Sequence, residues 1–274
     1  MAEGTRDIDG LKIFYRDSGQ GTPVLLLHCA GGTSGQWRKL TERMSDRYRL
    51  IAMDMVAHGK SGKAPPGVKD IYELEVDILT SFADMVGQPV HLVGHSLGGA
   101  VAARFALRWP ERTRSLTLFE PTLFQLLANG GHDEGWDDLQ RLIDGIHEHL
   151  GAGDKAGAAE VLIDYWARPG TFQAMPDEHK AHAIRRMDLT LITVQKYIDE
   201  PTFGLIDPSQ ITAPTLLLSS EDSPLSARSV IDLLSTIIPK AQMIRLESGG
   251  HMAPLTRADR VNEIVEEHVA RHSV

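Results

Sequence analysis

The chain has 274 residues, 42% of them hydrophobic, and a formal net charge of −9. That is enough apolar material for one large domain, or for a core with an insertion. The acidic balance, with no basic stripe, argues against a nucleic-acid surface. Cys29 is the one cysteine, which excludes an internal disulfide and a cysteine-built metal site.

The opening segment MAEGTRDIDG is polar, so no signal peptide is expected, and no apolar run reaches the length of a membrane span. A cytoplasmic protein is the expectation. Leu11–Arg16 alternates and predicts an edge strand, closed by a turn at 17–21. Pro23–His28 is apolar without alternation, as in a strand covered on both faces. A glycine-rich loop over 29–35 follows, then a short helix over about 36–45 and a strand over 48–54. Ile71, Leu74, Ile78, Phe82 and Met85 repeat at helical spacing within a helix over 70–86.

Pro89–Val93 predicts another buried strand, and Ala100–Ala106 a helix. Ser115–Phe119 is a strand closed by Glu120-Pro121. From Thr122 to about Pro208 the strand rhythm stops. Helical patterns run over 136–150, 156–166 and 179–198. Strands return at 214–219 and 241–246, with helices over 226–238 and 258–271. Alternating strands and helices with short loops predict an α/β fold, a doubly wound, mostly parallel sheet. The expected division is a core over 1–121 and 209–274 with a helical cap over 122–208 inserted into it.

Between the strand at 89–93 and the helix from 100 lies Gly94-His95-Ser96-Leu97-Gly98. Gly-x-Ser-x-Gly at a strand-to-helix turn is the nucleophile elbow. The turn strains the serine backbone, and a side chain at either glycine would collide with the neighbouring strand or helix. The serine hydroxyl then stands at a helix N-terminus, beside free backbone N–H groups. A serine needs a base to take its proton. His251, in Ser248-Gly249-Gly250-His251-Met252 directly after the last strand, has the right place in the chain.

With these residues the chain resembles the α/β-hydrolase family over about 11–270. The resemblance implies an α/β-hydrolase core with an inserted helical cap. It also implies a serine hydrolase in which Ser96 attacks, His251 is the base and a carboxylate orients His251. The family's usual place for that acid is the loop Ser220-Glu221-Asp222-Ser223-Pro224. Its usual spacing falls on Ser223, so Asp222, one residue earlier, is the first expectation. Glu120, at the end of the strand after the elbow helix, is the alternative found in some relatives, and Glu221 ranks third. The oxyanion donors implied are the N–H groups of Leu97 and Ala30, although Cys29 stands where the family pattern has glycine.

Asp54 and His58-Gly59-x-Ser61 resemble a family loop and are expected to be structural. Cys29 is expected to be a small packed residue. The pairs His147/His149 and His179/His182 lack the companions a metal site needs. Trp37, His95 and Met252 are the expected substrate-binding residues, with some cap aromatics among Phe124, Trp136, Tyr165, Trp166, Tyr197 and Phe203.

The expected activity is hydrolysis of a small-to-medium carboxylic ester or related acyl compound, with no cofactor and no metal. A serine at 96 argues against dehalogenase or epoxide-hydrolase routes, whose relatives carry aspartate there. Carbon–carbon bond hydrolysis, lactone opening and perhydrolysis stay open on the same triad. So does a triad-bearing small-ligand receptor. The expected partner is a small-molecule substrate, without nucleic acid or membrane, and a homo-oligomer is left open.

Overall fold

The structure is a computed structural model that describes residues 1–130, 133–185, 187 and 206–273. Eight strands form one sheet: β1 (Ala2–Ile8), β2 (Leu11–Ser18), β3 (Thr22–Leu27), β4 (Tyr48–Met53), β5 (Val90–His95), β6 (Thr113–Phe119), β7 (Thr215–Ser220) and β8 (Ala241–Leu246). Their order across the sheet is β1-β2-β4-β3-β5-β6-β7-β8. The β1–β2 and β2–β4 pairings are antiparallel, and every pairing from β4 to β8 is parallel.

β5 and β7 are buried along their whole length, and β3 from its second residue on. Helices on both faces are what allow such unbroken apolar runs. On one face α2 (Ile71–Val86), α3 (Leu97–Arg108) and α9 (Leu225–Ile237) pack with the sheet. On the other, α1 (Arg38–Met44) and α11 (Ala258–Arg271), which follows the one-turn α10 (Ala253–Thr256), bury Leu40, Met44, Val261 and Val265 against Val24, Leu26 and Leu218. Asp70 caps α2 by accepting from the N–H groups of Tyr72 and Glu73.

β1 is a strand that the sequence pattern did not suggest. All its residues are exposed or half-buried. An edge strand wetted on both faces has no need of the apolar alternation that marks a half-buried one.

Between β6 and β7 the described residues form helices and connecting turns, with no strand. They are α4 (Gln125–Gly130), α5 (Asp133–Gly151), α6 (Lys155–Trp166), α7 (Thr171–Ala174), α8 (177–185) and a short 3-10 turn at Pro208–Gln210. The part of the expected 179–198 helix beyond 185, Met187 apart, lies outside the described residues, as do Tyr197 and Phe203. One polar cluster ties these helices to the core. Tyr165 of α6 donates to Asp138 Oδ2 of α5 at 2.6 Å, and the Ser226 backbone N–H of α9 donates to the same oxygen at 3.1 Å. The Ser226 hydroxyl is 2.7 Å from the Tyr165 oxygen. Burial, with the bond to Asp138, pushes the Tyr165 phenol up, so it stays a donor.

Candidate active site

Ser96 sits between β5 and α3 with φ 56° and ψ −118°. This left-handed backbone is one that a serine adopts only under local constraint. The constraint is visible at two glycines. A Cβ on Gly94 would lie 2.5 Å from the Gly98 carbonyl oxygen, and one on Gly98 would lie 2.5 Å from the Leu27 carbonyl oxygen of β3. Strand β5 and helix α3 therefore approach more closely than any side chain would permit. The Ser96 N–H donates to the Phe119 carbonyl at 2.9 Å, and its carbonyl accepts from Thr122 N–H at 3.2 Å. Both partners flank the end of β6, so the elbow is stitched to the segment that carries Glu120.

Glu120 follows β6 directly and has φ 41°, a second strained non-glycine residue in the site. The residue is 1% exposed, and its carboxylate takes three hydrogen bonds. Oε1 accepts from the Ser219 hydroxyl at 2.8 Å and from the Ser220 N–H at 3.0 Å. Oε2 lies 2.8 Å from Nδ1 of His251, which is 3% exposed. The arrangement holds Nδ1 protonated and leaves Nε2 of the imidazole as a base.

Asp222 does not touch the imidazole, which corrects the first expectation for the acid. Its Oδ1 accepts from the Ser220 hydroxyl at 2.6 Å and the Gly250 N–H at 2.7 Å, and its Oδ2 from the Gly249 N–H at 3.1 Å. Gly249 and Gly250 have φ of 124° and 62°, so their N–H groups can turn toward one carboxylate. Burial pushes the Asp222 carboxyl up, but the bonds from Ser220, Gly249 and Gly250 outweigh it and hold the group below the usual carboxylate value. Asp222 shapes the histidine loop. Glu221 is exposed and its N–H closes onto the Leu246 carbonyl at 2.9 Å.

The loop after β3 is held by its own side chains. His28 Nε2 accepts the Met55 N–H at 3.0 Å, so its Nδ1–H donates to the Cys29 carbonyl at 2.7 Å. Gln36 Oε1 accepts the Cys29 N–H at 3.2 Å. Ala30 next to it is exposed, and Leu97 opens α3, where first-turn N–H groups have no intrahelical acceptor. Cys29 is buried, and that burial pushes its thiol up to about 12, so the group stays protonated and unreactive. Asp54 accepts from Ser34 N–H at 2.6 Å and Lys60 N–H at 2.8 Å, and the Ser61 hydroxyl donates to the Asp54 carbonyl at 2.6 Å. These bonds fix the 54–61 loop.

Two expected substrate contacts are corrected. Trp37 is 1% exposed and packs with Leu40 and Met44 in the layer between sheet, α1 and α11. His95 is fully buried and both its ring nitrogens are bonded within the protein. Met252 is half-buried beside His251. A residue brought to the site is Trp166, whose ring lies 4.5 Å from the His251 ring and 5.9 Å from that of Phe124. The composition of the cap suggests such an aromatic without saying which one. Ser219 and Ser220 were legible only as hydroxyls in an otherwise apolar strand.

Over residues 24–264 the chain matches the model of the family described as the alpha/beta hydrolase family. A protein of Azorhizobium caulinodans, provisionally named carbamate hydrolase RutD, is 28% identical over 262 residues, which cover 92% of this chain and 93% of that one. The pimeloyl-[acyl-carrier protein] methyl ester esterase of Aeromonas hydrophila is 26% identical over 262 residues, 92% of this chain and 96% of that one. Among solved structures, the deep-sea metagenome hydrolase MGS-M2 aligns with a TM-score of 0.77 at 18% identity, covering 97% of both chains.

Proposed function

Because the chain belongs to the alpha/beta hydrolase family, we propose that it is a serine hydrolase of small-to-medium carboxylic esters or related acyl compounds, working in the cytoplasm without a cofactor. The observation that carries this reading is the buried Glu120–His251 contact of 2.8 Å beside the strained Ser96 elbow.

In this mechanism His251 Nε2 takes the Ser96 hydroxyl proton as Oγ attacks the substrate carbonyl carbon. The imidazolium that forms is stabilised by Glu120, whose other oxygen is already held by Ser219 and Ser220. The negative oxygen of the tetrahedral intermediate is bound by the N–H groups of Leu97 and Ala30, a contribution of about 3–4 kcal/mol per donor in a well-formed hole. His251 passes its proton to the leaving alcohol, and the acyl group stays on Ser96. Water, deprotonated by His251, then attacks the acyl-enzyme and releases the acid. The Trp166 ring over His251 supports a limited acyl pocket. The Aeromonas hydrophila relative, a methyl ester esterase, supports the ester chemistry.

The test is a panel of p-nitrophenyl esters, from acetate to long-chain acyl, assayed with the wild type and Ser96→Ala. Turnover with a short-to-medium chain optimum, lost in Ser96→Ala, supports the reading. Absence of turnover across the panel, by a folded protein, contradicts it and turns attention to carbon–carbon hydrolysis, lactone opening or ligand reception.

A further inference from the structure

His95, the residue before the nucleophile, joins two parts of the site that are far apart in sequence. Gln36 Oε1 accepts the Cys29 N–H at 3.2 Å. A backbone N–H is only a donor, so the orientation of the Gln36 amide is settled: oxygen toward Cys29, nitrogen toward His95. Gln36 Nε2 lies 3.2 Å from His95 Nδ1, which must therefore accept. The proton of a neutral His95 then sits on Nε2, and Nε2 lies 2.9 Å from the backbone carbonyl of His251, which can only accept. Every donor and acceptor has a matching partner, and the chain of bonds has one direction: Cys29 N–H to Gln36, Gln36 to His95, His95 to the His251 carbonyl.

We propose that Gln36 and His95 are positioning residues that lock the oxyanion loop and the base loop into one register around Ser96. The proposal rests on the serine-hydrolase reading for its catalytic consequence. His251 is otherwise held by Glu120 at Nδ1 and, through the Gly250 N–H, by Asp222. The His95 bond is the third point, and it fixes the backbone from which the imidazole projects. Burial, then the neighbouring His251, keep His95 well below its ordinary value, so the ring stays neutral. A protonated His95 would turn Nδ1 into a donor facing the Gln36 amide N–H. The His95 ring is also gripped edge-on by Phe119 at 5.4 Å, which limits its rotation.

A glutamine side chain reaches the place of the imidazole Nε2, whereas an asparagine reaches only that of Nδ1. The two substitutions therefore cut the two His95 bonds one at a time: His95→Asn the bond to His251, His95→Gln the bond to Gln36. The experiment measures kcat and KM for p-nitrophenyl butyrate with His95→Gln, His95→Asn and Gln36→Leu, and records the histidine ¹⁵N spectrum of the wild type. The expected result is a kcat lower by about tenfold to a hundredfold in His95→Asn and Gln36→Leu, as small displacements of catalytic groups produce. KM should stay within about threefold, and His95→Gln, which keeps the bond to the His251 carbonyl but cuts the one to Gln36, should lose kcat to a similar degree. The spectrum should show His95 protonated at Nε2 alone. His95→Asn turning over like wild type would overturn the proposal. So would a His95→Gln variant, with the Gln36 bond cut, that turns over like wild type. An Nδ1-protonated His95 would overturn it even if the variants fail to fold. If the wild type hydrolyses no ester while His95 shows the Nε2 proton, the hydrolase reading fails and the bonded chain stands.

Discussion

Glu120 Oε2 lies 2.8 Å from His251 Nδ1, while Asp222, the carboxylate at the family's more usual place, binds the N–H groups of Gly249 and Gly250. The two acids have divided the work: one orients the imidazole, the other shapes the loop that carries it. Glu120→Gln should therefore lower kcat by about three to four orders of magnitude, since an amide at this place favours the wrong imidazole tautomer. Asp222→Asn should cost about tenfold and lower the melting temperature. Steady-state kinetics with both variants, side by side, check this. The reverse ranking would return Asp222 to the triad.

Trp166 is half-buried, 4.5 Å from His251 and 4.8 Å from Tyr165, measured between ring centroids. Trp166→Ala should move the acyl-chain optimum to longer esters by opening space above the base. The accompanying loss of stability should be about 1–2 kcal/mol, below the range for a fully buried tryptophan. The ester panel and a urea titration read the two effects separately.

The elbow glycines set a steric limit. Gly98→Ala places a methyl 2.5 Å from the Leu27 carbonyl oxygen and 2.7 Å from that of His28. Both are buried backbone atoms, the last residue of β3 and the one after it, and cannot swing aside. A loss of about 3 kcal/mol or more is expected, with activity falling along with it. Thermal melting of Gly98→Ala provides the check, with Gly151→Ala as the control, because nothing lies within 4 Å of a Cβ there.

Acid sensitivity should come from the opposite end of β5. His91 is fully buried between the hydroxyls of Ser115 at 2.7 Å and Ser273 at 3.1 Å. Burial, then Arg114, His268 and His272, push it down to about 3. His268 is pushed down to about 4, by burial first and then His272. The unfolded chain protonates both near their ordinary value of 6.5, the folded chain much later. Between those limits the unfolded state binds more protons, so stability is full above about pH 6.5 and falls as the pH drops toward 4, by up to about 1.4 kcal/mol per pH unit for each histidine. Urea midpoints at pH 7 and pH 4.5 should converge in the His91→Gln/His268→Gln double variant. An unchanged slope would place the acid sensitivity elsewhere.

Much of this site was legible in the chain. Gly94-His95-Ser96-Leu97-Gly98 carries its own steric logic, and His251 follows the last strand as a base should. The parallel sheet and the helical patterns after β6 were read from apolar periodicity, while the family came from the resemblance carried by the elbow and His251. The acid was not settled, because Glu120 and Asp222 differ only in which loop faces the imidazole, and that depends on contacts between β6, β7 and the histidine loop. Trp37 and His95 were misread for a related reason: the sequence says neither which side of the sheet an aromatic packs on nor where a ring's nitrogens find partners. Strand β1 escaped because polar residues at a wetted edge carry no period. Gln36, Ser219 and Ser220 act only through partners brought near by the fold.

In the proposed mechanism Ser96 is a nucleophile activated by the His251–Glu120 pair. The most direct measurement is intact-mass and peptide analysis after exposure to a fluorophosphonate, with rates compared between wild type, Ser96→Ala and Glu120→Gln. One adduct per chain is expected on the peptide containing Ser96, none in Ser96→Ala, and labelling slowed by orders of magnitude in Glu120→Gln. A folded wild type that stays unlabelled at Ser96, or a Glu120→Gln variant that labels as fast as wild type, would contradict it.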